Sequence, residues 1–438
     1  MTEPKRYMRF VAMLMTGPTQ HHTAAWRHPE SVNSLLDPTW WQDTARMLER
    51  GSFDGLFLAD THTFGNTEIM ESGGQMALLD PVPLIAQMAQ ATTTIGLGVT
   101  ISTTFLPPYS IARVLATLDI VSQGRVAWNV VTSWNDVDAQ VFGQDALPPR
   151  DVRYQRAHEV LELCMEFWGS WNGTTVIADK GTGTFLDTKA INPVAFKGSF
   201  VSADGYFSVP TSPQGHPVIM QAGSSGAGRD FAARWAEVVF TLQNSLEDML
   251  DFYEDVKGRM EQYGRDPREL AILTSVDPII GETTEIALEK QAYINGLVNL
   301  DMAIATVRNH LGIDVSTMPM DQPVTEIADD ALSLGALDVL VKGARREHLT
   351  LCEALLRYAT SDLTPQVVGT AEEVADQLEE YFTHHGCDGF VITPTQMPGT
   401  FESFTRSVMP VLKHRGLVPG ESVPGTLRTR LRASAQLV

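Results

Sequence analysis

The chain has 438 residues, 43% hydrophobic and 19% charged, with 32 basic against 53 acidic side chains for a net charge of −21. This composition supplies a large core and excludes a disordered polyelectrolyte. The acidic balance excludes a nucleic-acid partner, which would draw on clustered Lys and Arg; only Arg428, Arg430 and Arg432 cluster at all.

In chain order, eight short apolar runs each lead into polar or glycine-rich residues and then a helical pattern. Met8–Met15 is followed by a helix over Thr39–Arg50, Gly55–Ala59 by Pro83–Thr92, Thr94–Ile101 by Ser110–Ser122, and Arg125–Val131 by Arg153–Trp168. Pro217–Gln221 leads to Arg229–Ala236, Val238–Leu242 to Leu246–Tyr263, Ala271–Val276 to Thr284–Gly296, and Gly389–Ile392 to Ser403–Arg415. AEEVADQLEEYFTHHG, ending at Gly386, adds a further amphipathic helix with acidic residues in its first turn. Pro83 and Pro108 open helices where a missing donor costs nothing, and Gly51, Gly124 and Gly264 stand where left-handed caps are expected.

Strand–helix alternation implies a parallel sheet covered by helices. Eight repeats favour closure into a (β/α)8 TIM barrel over an open doubly wound sheet, and barrels of this length run as one domain. A single domain over 1–438 is therefore expected. Long insertions interrupt the alternation after strands 1, 4 and 7, at about 16–38, 170–215 and 297–345. The middle one reads as turns or short hairpins, and all three are candidate lids or binding walls.

The three isolated cysteines, Cys164, Cys352 and Cys387, form neither a disulfide framework nor a zinc site. The opening MTEPKRYMRFVAMLMTG carries Arg9 within its apolar run and reads as a strand rather than a leader. No stretch reaches the ~20 apolar residues of a membrane span. A soluble cytoplasmic protein, without membrane or nucleic-acid partners, is expected.

The loops after the strands of such a barrel build its active site. QAGSSGAGRDF, after the fifth strand, places Gly223, Ser224, Ser225, Gly226 and Gly228 between a strand and a helix N-terminus, a geometry that aims N–H groups at an anion. The plain alternative is a tight turn; GxGxxG it is not. PPRDVRYQRAHE opens the fourth helix and offers Arg150, Arg153 and Tyr154 as donors to the same phosphate. His21, His22, His28 and His62 raise a metal hypothesis, but the histidines are adjacent rather than alternating and none follows strands four to six, so no metal is assigned. Asp60, Asp136 and Asp277 leave a barrel hydrolase open.

Taken together the segments AWRHPE, GLFLADT, ISTTFLPPYSIAR, GRVAWNVVTS, RYQRAHE, QAGSSGAGRDFAARWAE, GTAEEVADQLEEYF, DGFVI and LKHRGL…GTLRTRLR run nearly the whole length. In that order they resemble the flavin-dependent monooxygenases of the bacterial luciferase-like superfamily, within the group of nitrilotriacetate, EDTA and dibenzothiophene-sulfone monooxygenases. The resemblance implies a homo-oligomeric barrel binding reduced FMN supplied by a separate NAD(P)H:flavin reductase. It implies that O2 is the co-substrate and that one oxygen atom enters a small organic substrate through a flavin peroxide. Asp60, Thr104, Asn129, Tyr154, Ser224 and Ser225 take the flavin positions, and Arg150 stands where relatives commonly carry a histidine. His21 or His22 is the candidate hydrogen-bond donor or proton shuttle beside the flavin ring. The deazaflavin-dependent oxidoreductases of the same superfamily share the barrel but lack the long insertions. The substrate does not follow from the sequence; the second and third insertions should decide it.

Overall fold

Parallel strands buried on both faces need unbroken apolar runs rather than alternation, and the eight runs above supply them. The computed structural model describes residues 6–433 except 20, 33, 65, 78, 135, 174–175, 244, 327–337 and 421–423. Its strands are β1 Arg9–Met15, β2 Gly55–Ala59, β3 Gly96–Ser102, β4 Val126–Val131, β5 Val218–Gln221, β6 Val238–Thr241, β7 Ala271–Ile280 and β8 Gly389–Ile392. They pair in parallel in that order around a ring, closed where Arg9 of β1 meets Gly389 of β8 and joined through Val238 of β6 beside Ala271 of β7. The result is a closed (β/α)8 barrel. Along β1, Phe10, Ala12 and Leu14 pack outward under the helices, whereas Val11 and Met13 fill the interior with Phe57, Met220, Phe240 and Val391.

The helices start where caps and prolines direct them. Asp80 caps the second helix, which begins at Pro81, two residues before the expected Pro83, because the side-chain oxygen accepts the Val82 N–H. Gly124 and Gly264 do take left-handed φ of 78° and 65°, but Gly51 does not: its φ is −73° and Ser52 carries the positive φ instead. Gly51 is small for another reason, since a Cβ there would lie 2.2 Å from the Thr405 methyl. The helix expected to end at Gly386 spans Ala371–Thr383, opened by a Thr370–Glu373 capping box.

Two elements depart from the sequence reading. β7 runs on past Val276 to Ile280, because its outer half pairs with an additional strand, Gln366–Gly369. The first insertion forms one short 3-10 turn, Ala25–Arg27. The second holds two antiparallel pairs, Val176–Asp179 with Thr184–Leu186 and Val194–Lys197 with Ser202–Gly205. The third contributes Leu300–Leu311, whose Met302 and Val307 join Leu351 and Leu355 of helix Leu351–Ser361, and Ala24 of the first insertion, in a second apolar cluster. The first and third insertions thus pack on one another at the barrel mouth. Among the described residues, no helix is long and apolar enough to cross a membrane.

Candidate active site

The turn after β5 is built by mutual approach of two glycines. A Cβ on Gly223 would sit 2.7 Å from the Gly228 Cα, and one on Gly228 would sit 2.8 Å from the Gly223 Cα and 2.9 Å from the Tyr154 hydroxyl. Ser225 caps the helix Gly226–Trp235, its Oγ accepting the Gly228 N–H at 3.2 Å. The following N–H groups open the helix without intrahelical partners, a ready anion cradle. Tyr154 faces the cap from the helix Arg150–Trp168; burial raises its pKa, and its hydrogen bonds to Ser225 and Gln221 oppose that shift. Gln221 ends β5 at 4% exposure with its Oε1 unpartnered among the described residues. Ser224 is exposed and its carbonyl accepts from Arg229. Arg150 opens its helix exposed to solvent, one turn before Tyr154. The structure therefore brings Tyr154, Ser225 and Ser224 together, with Arg150 at the rim.

Thr104 and Asn129 lie nearer the barrel axis. The Thr104 hydroxyl donates to the Thr132 carbonyl at 2.7 Å, tying the ends of β3 and β4 together. Asn129 Nδ2 donates to Thr100 Oγ1 at 2.9 Å, while its Oδ1 is buried and unpartnered. Orphaned acceptors at Asn129 and Gln221, a turn that a Cβ would fill and a free helix N-terminus together fit a phosphorylated group lying across β4 and β5.

Across the barrel mouth from this turn, a cleft of about 250 Å³ opens over the ends of β1 and β2, bordered by Met15, Ala59, Asp60, Trp134, His310, Tyr358 and Asp362. Burial, with repulsion from Asp80 and Asp138, pushes the Asp60 pKa up to about 7. Tyr358 Oη lies 3.5 Å from His310 Nδ1, and burial beside the Asp362 carboxylate raises its pKa far above the usual phenol range. Asp362 sits at φ 49° and the next residue, Leu363, at φ 66°, so two consecutive non-glycine residues hold left-handed backbone at the edge of the cleft. The sequence reading missed His310, Tyr358 and Asp362. No local motif marks them, because the third insertion and the helix after it carry them over the mouth.

His21 and His22, the candidate donor or shuttle pair, lie within the packing of the first insertion. Both are buried, at 5% and 0% exposure, and neither borders the cleft. His21 Nδ1 meets Thr364 Oγ1 at 2.8 Å, with Asp362 4.0 Å from its other nitrogen. His22 Nδ1 accepts the Ala24 N–H. Burial lowers both pKa values to about 4, so each ring is neutral near pH 7, and among the described residues His22 Nε2 is buried without a partner. Because the folded values lie below the unfolded 6.5, stability is full above pH 6.5 and is lost as pH falls toward 4. The expected loss is about 3 kcal/mol per ring. Urea midpoints measured from pH 7 to 5 should show that decline, and His22→Gln should shallow it.

The hydrolase reading fails on geometry. Asp277 is 1% exposed, with burial raising its pKa well above the carboxylate range, and Asp136 lies exposed, accepting the Leu147 N–H. Only Asp60 of the three borders the cleft, so Asp60, Asp136 and Asp277 do not meet in one site.

A model of the luciferase-like monooxygenase family matches residues 8–387. The chain belongs to that family. It is a flavin-dependent monooxygenase. It is 40% identical over 438 residues to the dibenzothiophene-sulfone monooxygenase of Rhodococcus erythropolis strain XP, covering 98% of this chain and 97% of that one. To the nitrilotriacetate monooxygenase component A of Aminobacter aminovorans it is 35% identical, covering 94% and 93%. The crystal structure of DmoA from Hyphomicrobium sulfonivorans superposes with a TM-score of 0.91 at 32% identity, over 98% of this chain and 93% of that one.

Proposed function

We propose that this monooxygenase binds reduced FMN delivered by a separate NAD(P)H:flavin reductase and uses O2 to place one oxygen atom in a small organic substrate. The observation that carries the reading is the contact of Tyr154 with Ser225 over the close-packed Gly223–Gly228 turn, a phosphate-sized cradle at the active end of the barrel. Ser225, Ser224, Tyr154 and Arg150 hold the phosphate; Arg150 replaces a titrating histidine with a permanently charged fork. Asn129 and Thr104 offer acceptors and a donor to the ring portion, and Asp60, with its pKa near 7, can hold or release a proton beside it at neutral pH. When bound, reduced flavin supplies the electrons that activate oxygen; the protein positions the partners and keeps bulk water out. Tyr358 hydrogen-bonds Asp362 at the edge of the cleft. A single barrel domain over 1–438 with three insertions, a cytoplasmic location and a homo-oligomeric state complete the proposal. The free thiols of Cys164, Cys352 and Cys387 suit a reducing compartment.

The test is an anaerobic titration with photoreduced FMN, repeated with the oxidised form. Saturable binding that favours the reduced form is expected, and Ser225→Ala should weaken it by about 1–2 kcal/mol, the loss of one hydrogen bond to a charged group. Absence of binding by either form removes the reading.

A further inference from the structure

We propose that the substrate is an uncharged aromatic molecule, selected by the ring of Trp134 and by a cleft without basic side chains. This rests on the function proposed above, since it takes the cleft over the ends of β1 and β2 as the place where the substrate lies.

Among the described residues bordering the cleft there is no lysine and no arginine, whereas Asp60 and Asp362 both face it. Burial, with added repulsion from Asp80 and Asp138, raises the Asp60 pKa to about 7. A carboxylated or phosphorylated substrate would shed its water beside these groups with no cation to receive it, an arrangement that discriminates by repulsion. A cation fares little better. Asp60 is partly neutralised, Asp362 is already engaged by Tyr358, and the remaining walls mix Met15, Ala59, Ile69 and Met76 with uncharged polar groups such as Thr61 and Gln75.

The aromatic preference comes from the rings at the rim. Trp134 borders the cleft yet remains 53% exposed, an unusual state for the largest apolar side chain, and it stands edge-on to His310 with centroids 6.3 Å apart. An exposed ring on the border of a pocket marks a binding surface, and Trp134 is such a ring. Two thioethers, Met15 and Met76, line the inner wall, where sulfur makes favourable contacts with a ring edge. Such a site admits a flat, polarisable, neutral ligand and stacks it against Trp134.

Three probes of the full chain decide the matter by calorimetric titration, without oxygen and with or without reduced FMN: diphenyl sulfone, nitrilotriacetate and benzyltrimethylammonium. The neutral aryl sulfone is expected to bind saturably and at least 100-fold more tightly than either ion. Trp134→Ala should weaken it about tenfold and Trp134→Phe should restore most of the loss; because Trp134 is half exposed, neither variant should unfold the chain. Tighter binding of either ion, no saturable binding of the sulfone, or a Trp134→Ala affinity within twofold of the parent would overturn the assignment. Reduced-FMN binding is read separately in the same preparations. Its absence removes the proposed function, whereas its presence beside a failed sulfone titration removes only the substrate class.

Discussion

Gly228→Ala is expected to weaken reduced-FMN binding by about 100-fold, close to 3 kcal/mol, while leaving the barrel folded. The argument is steric and local. The new methyl would lie 2.8 Å from the Gly223 Cα, 3.0 Å from its carbonyl carbon and 2.9 Å from the Tyr154 hydroxyl, and two of these three atoms are backbone. Relief requires the turn to open, which moves the Ser225 cap and the first N–H groups of the helix away from the position where they converge. Helix propensity points the other way: Ala in place of Gly near the first turn stabilises a helix by up to about 1 kcal/mol. A lost affinity with an unchanged or raised thermal midpoint would therefore isolate the cradle from the fold. The check is the anaerobic FMN titration run beside thermal denaturation. An affinity within threefold of the parent would show that the phosphate lies elsewhere.

The same contrast explains what the sequence made legible. Every barrel strand announced itself, because a strand buried on both faces must be a short continuous apolar run between breakers. Val11 and Phe10 serve different layers, yet both have to be hydrophobic. The glycine turn after β5 was equally visible, since close backbone approach leaves glycine as its trace at 223 and 228. The cleft over β1 and β2 was not. His310 ends a helix of the third insertion, Tyr358 and Asp362 belong to the helix after it, and Trp134 follows β4; their meeting is a product of insertion packing, which no spacing rule encodes. The burial of the histidine pair was hidden for a related reason. A polar dipeptide in a long loop reads as exposed, but the third insertion and helix Leu351–Ser361 cover that loop through contacts such as Thr23 with Thr306 and the Ala359 carbonyl. The additional strand Gln366–Gly369 was hidden because Asp277 and Pro278 suggest the end of a strand, whereas β7 continues through them to pair outside the ring.

Arg428→Ala is expected to cost about 3–5 kcal/mol of stability, the range for stranding one partner of a buried ion pair, although the residue lies at the end of the barrel away from the cleft. Glu237, just before β6, is 8% exposed and accepts from Arg428 Nε at 2.6 Å and Nη2 at 2.8 Å. The same guanidinium donates to the carbonyls of Gln214 and Pro217 and meets His216 Nδ1 at 2.9 Å. Next to it, Leu427 is 5% exposed and enters the interior cluster beside Val11 and Val218, closing the barrel floor over Gly96, where a Cβ would collide with its methyl at 2.7 Å. The basic cluster 428–432 is thus a structural clamp, with Arg9 also donating to the Arg430 carbonyl at 2.6 Å. Despite burial, the hydrogen bonds and charge of Arg428 hold the Glu237 pKa below its ordinary value. Its contribution is therefore present above the unfolded value near 4.5 and is lost as pH falls through the folded one. The variant's deficit should accordingly be full at pH 7 and shrink in acid, and pairing it with Glu237→Leu should recover much of the loss by removing the stranded charge. A deficit below 1 kcal/mol would place the pair among ordinary surface bridges. Reduced-FMN affinity should stay within twofold in the folded fraction, because the floor of such a barrel carries stability and the strand C-termini carry chemistry.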